Sequence, residues 1–126
     1  MKKIGILGST GSVGTQALEI IKENPDKFKV KYLACSSNAP LLVEQAKIFK
    51  PDYICILDST KKSFLKNNLS NVKIMYGKNA LDELSRDDSP DIVLNAVSGY
   101  QGLSFTVNTI KAGNIHKQIR KELESF

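Results

Sequence analysis

Three glycines, Gly8, Gly11 and Gly14, stand three residues apart in the stretch GSTGSVG, with an apolar run before them and a helix-like pattern after. Such a turn can bind a diphosphate through backbone alone. Gly8 lets the chain leave a strand sharply, Gly11 removes a side chain where backbone must approach a phosphate, and Gly14 lets the helix pack close to the strand. The unpaired N–H groups and the positive end of the helix then converge on one spot. Thr10 and Ser12 add hydroxyl donors. The spacing is GxxGxxG rather than GxGxxG, so by itself it also fits a tight turn with close packing. Its position, after the first apolar run and at the opening of the first helix, favours a dinucleotide ligand.

Two further stretches bear on that ligand. The second apolar run ends in ACSSN, Ala34 to Asn38. NAD enzymes usually carry an Asp or Glu near this point to hold the ribose 2′-hydroxyl. None occurs from Val30 through Val43, which permits the additional phosphate of NADP. Ser36, Ser37 and Asn38 can hydrogen-bond such a phosphate. They equally fit a polar loop in which Asn38 caps the next helix. The third stretch is NAVSGYQGL, Asn95 to Leu103, where an apolar run opens into a loop holding Gly99 and Gly102. Ligands on open α/β sheets lie across the carboxyl ends of the strands, which puts this loop on the cofactor side. A plain strand-to-helix turn uses the same two glycines.

The elements needed to position these loops are legible as alternating patterns. Strands are expected near Lys3–Leu7, Phe28–Cys35, Tyr53–Leu57, Val72–Met75 and Asp91–Val97. Continuous apolar runs such as YICIL and DIVLNAV suit strands covered on both faces, as in a parallel sheet. Val13, Ala17, Ile20 and Ile21 share one helical face, and Leu42, Ala46 and Phe49 another, with Pro51 just beyond it. Leu103, Val107 and Ile110 repeat the spacing before a plausible stop at Gly113. Short helices are expected at Ser59–Asn67 and Asn79–Ser85. Strand and helix alternate throughout, which indicates a parallel α/β sheet with right-handed crossovers.

Bulk properties exclude several other classes. The 126 residues suffice for one domain with a core, and 41% hydrophobic with 25% charged residues is the composition of a folded globular protein. No apolar run approaches a membrane span. Met1-Lys2-Lys3 leads directly into the glycine segment without a signal-peptide pattern, so a cytoplasmic protein is expected. Cys35 and Cys55 each fall inside an expected strand and read as small core residues. The single histidine, His116, sits among Lys and Gln and reads as solvated, and no Cys, His and carboxylate cluster has metal-site spacing. The net charge of +5 owes much to Lys61, Lys62, Lys66 and Lys73, with no acid from Ser59 to Leu81. That segment lacks arginine and is poor in aromatics, which reads as a solvated lysine face rather than a nucleic-acid surface.

The stretches ILGSTGSVGTQALEII, NPDKFKV, SSN, VEQAKIFKP and NAVSGYQGL…IKAG together resemble the amino-terminal domain of the 1-deoxy-D-xylulose 5-phosphate reductoisomerase family. The resemblance implies a Rossmann-like, doubly wound parallel sheet of about five strands, incomplete relative to the six-stranded dinucleotide fold. It implies NADPH as cofactor, and conversion of 1-deoxy-D-xylulose 5-phosphate to 2-C-methyl-D-erythritol 4-phosphate in non-mevalonate isoprenoid synthesis. It places Thr10, Gly11, Ser12 and Val13 on the cofactor phosphates, and Ser36, Ser37 and Asn38 at the adenosine end. Ser36 and Ser37 stand where relatives often have Gly followed by a basic residue. In full-length relatives a divalent metal, magnesium or manganese, holds the sugar-phosphate substrate, and homodimers are common.

After IKAG the family continues into a further strand and an A-N-K-E motif, whereas this chain reads NIHKQIRKELESF. The expectation is therefore a shortened chain, with an NADP-binding domain over residues 1–113 and a divergent helical tail over 114–126. Ile115, Ile119, Leu123 and Phe126 fall near one face of that tail. No metal ligand of the family can be carried onto this sequence, and turnover by these residues alone is not expected, because the metal and protonable groups that hold and activate the substrate are not among them. A non-catalytic nucleotide-binding module, or one that docks its tail on a partner, is the alternative.

Overall fold

The computed structural model of the chain describes residues 1–96, and element assignments below refer to these. Strand β1 (Lys2–Leu7) leads into helix α1 (Ser12–Glu23), then β2 (Phe28–Cys35), α2 (Ala39–Phe49) and β3 (Tyr53–Ile56). A 3-10 turn at Ser59–Lys61 runs into α3 (Lys62–Asn68), followed by β4 (Lys73–Tyr76), α4 (Lys78–Ser85) and β5 (Ile92–Asn95). All five strands are parallel, in the order β4-β3-β2-β1-β5. Gly99, Gly102, the helix expected from Leu103, Gly113, His116 and the tail all lie outside the described residues.

Local sequence explains where each helix begins and ends. Helix α1 buries Ala17, Leu18, Ile20 and Ile21 on one side. It stops at Asn24, whose amide N–H donates to the Ile21 carbonyl and whose side-chain Nδ2 donates to the Ile20 carbonyl, with Pro25 next in sequence. Helix α2 starts on Asn38, whose Oδ1 accepts the Leu41 amide at 3.3 Å, and ends on Lys50 in the left-handed region just before Pro51. Val13 does not share the packed face of α1. It is 45% exposed, in the first turn of the helix.

Two apolar layers result. Ile4 and Ile6 of β1, Val30 and Leu33 of β2, Ile54 and Ile56 of β3 and Ile92 and Leu94 of β5 pack with Leu18, Leu42 and Leu65 of α1, α2 and α3. Leu7, Tyr32, Ala34, Cys55 and Val93 pack with Leu81 and Leu84 of α4 in a second cluster. Each large side chain so removed from water contributes about 1.5–3 kcal/mol before entropy is subtracted. Strand β2 manages this with one irregularity. Ile4 pairs with Val30 but Gly5 pairs with Tyr32, so Lys31 is an inserted residue that resets the alternation. Lys31 instead reaches Asp52 at 2.9 Å. The Tyr32 ring then lies across Gly5, where an added Cβ would meet ring atoms at 2.3 Å.

Candidate functional site

Strand order reverses between β1 and β5: β2, β3 and β4 extend to one side of β1, and the chain returns from the far edge to place β5 on the other. In an open parallel sheet, the crevice at the carboxyl ends of such a pair is the ligand position. The glycine turn leaves β1 at that point, and Ala96, just past β5, donates its amide to the Leu7 carbonyl at 2.7 Å. Ser36, at the end of β2, and Asp58, beyond β3, lie along the same rim.

The three glycines of the turn do three different jobs. Gly8 has φ +87°, a conformation that side chains disfavour, and this reverses the chain off the strand. The Gly8 and Ser9 amides both donate to the Ala34 carbonyl, at 2.8 and 2.9 Å, which ties the turn to β2. Gly14 is a packing glycine. A Cβ there would stand 2.2 Å from the Gly8 carbonyl oxygen and within 3.0 Å of two Ser9 backbone atoms. Gly11 is constrained by neither effect. Its φ and ψ of −78° and 175° suit any residue, and among the described residues a Cβ would meet only the Gly8 oxygen, at 3.6 Å. The described residues leave the space over Gly11 open.

Gly11 is also the N-cap of α1, and no side chain caps that helix. The amides of Ser12, Val13 and Gly14, in its first turn, have no intrahelical acceptor by construction. Ser12 and Val13 are exposed and the first turn carries no acid. The positive helix end therefore faces the crevice without a competing carboxylate of its own. Thr10 is half-buried. Burial pushes the Cys35 thiol up to about 11, opposed by hydrogen bonds involving the Thr10 side chain and the Asn38 backbone.

At the second loop Ser36, Ser37 and Asn38 are exposed, and the Asn38 side chain is engaged as the α2 cap. Parallel pairing brings an acid here that local sequence did not announce. The Asp58 amide donates to the Ser36 carbonyl at 2.9 Å. Its carboxylate accepts from the Thr60 hydroxyl at 2.6 Å and the Thr60 amide at 3.0 Å, which holds it below the usual carboxylate range. Gln45 was also missed. From the buried side of α2 its Nε2 donates to the Ser9 carbonyl at 2.8 Å. A polar residue between Val43 and Ala46 on an otherwise apolar helix face was the available signal.

Cys35 and Cys55 are both buried and unbridged, as expected of core residues. Among the described residues no group of three or more His, Cys, Asp or Glu is arranged to hold a metal ion, and no helix is long and apolar enough to cross a membrane.

Comparison with known proteins identifies the lineage. The family model described as 1-deoxy-D-xylulose 5-phosphate reductoisomerase matches residues 4–120. A protein of that name from Phocaeicola vulgatus is 45% identical over 123 residues, covering 96% of this chain and 32% of its own length. One from Chloroherpeton thalassium is 44% identical over 115 residues, 90% of this chain and 30% of its own. The solved reductoisomerase from Zymomonas mobilis in complex with NADPH superposes with a TM-score of 0.85 at 30% identity, over 91% of this chain and 31% of that one. A reductoisomerase solved with NADPH, fosmidomycin and magnesium gives 0.85 at 29% identity, over 92% and 29%. The chain spans about a third of the length of these relatives. With a Rossmann-like sheet, the glycine turn at its switch point and these matches in hand, the chain belongs to the 1-deoxy-D-xylulose 5-phosphate reductoisomerase family.

Proposed function

We propose that the chain is the NADPH-binding portion of a 1-deoxy-D-xylulose 5-phosphate reductoisomerase, a cytoplasmic enzyme that makes 2-C-methyl-D-erythritol 4-phosphate for non-mevalonate isoprenoid synthesis. The observation that carries this reading is the space over Gly11. A glycine there is required neither by its backbone conformation nor by packing among the described residues, yet it borders the uncapped end of α1. That is the arrangement a diphosphate requires, since its oxygens must reach backbone amides directly.

In this reading Gly8, Thr10, Gly11, Ser12, Val13 and Gly14 surround the diphosphate of NADPH. Ser36, Ser37 and Asn38 border its adenosine end, and Gly99, four positions after β5 in the sequence, is assigned to the same ligand. NADPH, when bound, supplies the hydride that reduces the rearranged aldehyde. The protein's own contribution here is binding and orientation: fixed amides hold the cofactor, and the α1 end favours its charge. Residues 1–113 are assigned to the cofactor domain and residues 114–126 to a divergent tail, which lies outside the described residues. The magnesium or manganese of the family, with the sugar phosphate it holds, is assigned outside the described residues.

Calorimetric titration of the chain with NADPH, NADH and AMP tests the reading. NADPH should bind most tightly and AMP most weakly, because only the dinucleotides present a diphosphate to the turn. Absence of binding by both dinucleotides, or AMP binding as tight as NADPH, would overturn it.

A further inference from the structure

We infer that Gln45 is a positioning residue for the cofactor: from α2 it sets the orientation of the Ser9–Thr10 peptide, and so aims the Thr10 amide at the ligand. This rests on the reading of the glycine turn as a diphosphate cradle. A peptide unit is planar and trans, so its C=O and N–H point in opposite directions. The Ser9 carbonyl is drawn inward, onto Gln45 Nε2 at 2.8 Å. The N–H of the same peptide, which belongs to Thr10, must then point away from α2. Other peptides of the turn are held by backbone: Gly8 and Ser9 donate to the Ala34 carbonyl, and Gly11 donates to the Gly8 carbonyl at 3.3 Å. The Ser9 carbonyl is held by a side chain 36 positions away.

Gln45 acts from a buried position. It is 5% exposed and Ser9 is fully buried. Gln45 Oε1 and Ser9 Oγ both lie buried without a hydrogen-bond partner. The Ser9 carbonyl is buried as well, with Gln45 Nε2 as its donor, so the same hydrogen bond contributes to stability and fixes the direction of this peptide. What an apolar side chain cannot do is donate to Ser9. Without that donor the Ser9–Thr10 peptide is free to populate other orientations, and cofactor affinity falls by the fraction of molecules in the competent one.

Gln45→Met keeps length and volume and removes the donor. The parent and this variant are titrated with NADPH and with 2′-AMP, which lacks the diphosphate, and their melting temperatures are compared. The expected result is a melting temperature lowered by several degrees, because the buried Ser9 carbonyl loses its donor, an NADPH dissociation constant raised about tenfold, corresponding to a competent fraction of about one in ten, and an unchanged 2′-AMP constant. Unaltered NADPH affinity in the variant, beside a parent that binds, would overturn the role of Gln45 and leave the cradle standing. Equal weakening of both ligands would also overturn it, since that is the mark of general damage. A parent that fails to bind NADPH would sink the cradle reading, and this inference with it. Nuclear magnetic resonance of the unmutated chain decides the matter without reliance on the variant's folding. The Gln45 side-chain amide protons should shift together with the Thr10 amide as NADPH is added, and no shift at Gln45 would refute the coupling.

Discussion

Replacing Gly11 with Asp should separate fold from function, because the structure predicts opposite signs for the two. The backbone at Gly11, φ −78° and ψ 175°, is that of an N-cap residue, and among the described residues a Cβ meets only the Gly8 oxygen at 3.6 Å. Asp fits there without strain. Helix α1 has no side-chain cap and no acid in its first turn. A carboxylate at this position can accept an orphan amide of that turn and faces the positive end of the helix, which together stabilise by about 0.5–1 kcal/mol. For a domain of this size that raises the melting temperature by about 2–4 °C. The same carboxylate stands where the diphosphate must approach. Two like charges about 4 Å apart repel by about 1 kcal/mol even at the dielectric constant of bulk water, and by about 4 kcal/mol near a protein surface. The two charges of a diphosphate therefore cost at least about 2 kcal/mol, an affinity loss of about 30-fold or more. Scanning calorimetry and an NADPH fluorescence titration measure the two effects on one preparation. If Gly11→Asp melts well below the parent, Gly11 is a structural glycine after all. If it melts normally and binds NADPH within threefold of the parent, the ligand does not lie over Gly11.

Gly14→Ala should behave in the reverse manner. The added Cβ would sit 2.2 Å from the Gly8 carbonyl oxygen, a backbone atom, so α1 must move away from the turn. Overpacking of this kind costs about 1–3 kcal/mol, partly offset by the better helix propensity of Ala, and a net loss of about 1–2 kcal/mol should appear in denaturant unfolding. The thiols of Cys35 and Cys55 are raised to about 11 and about 12, in each case chiefly by burial. Both should resist a disulfide reagent at pH 8 in the folded protein and react on unfolding. Because the folded-state values lie above the unfolded ones, the folded protein retains thiol protons that the unfolded chain releases. Stability should therefore fall as pH rises above about 9, towards the folded values, and Cys35→Ala with Cys55→Ala should flatten that decline.

Much of the fold could be read along the chain. The strand expected at Phe28–Cys35 is the strand found, and the short helix expected at Asn79–Ser85 is found at Lys78–Ser85. Apolar spacing of period 3.6 and continuous apolar runs are local signals, and Asn38, Pro25 and Pro51 mark boundaries through backbone chemistry that needs no neighbour. The order of the glycines likewise gave the turn and its place at the start of α1. The sequence could not separate their roles. Gly8, Gly11 and Gly14 are the same residue in the string, and only the positive φ of Gly8 and the surroundings of the missing Cβ at Gly11 and Gly14 show which two the fold requires and which one the described residues leave open. Val13 shows the limit of periodicity: it keeps the spacing of a core residue, but it lies exposed in the first turn of α1. The inserted Lys31, the arrival of Asp58 beside Ser36, and the hydrogen bond from Gln45 to Ser9 were beyond any local pattern. Each depends on which strands become neighbours and in what register, and that choice is made by the packing of whole layers rather than by the residues adjacent in the chain.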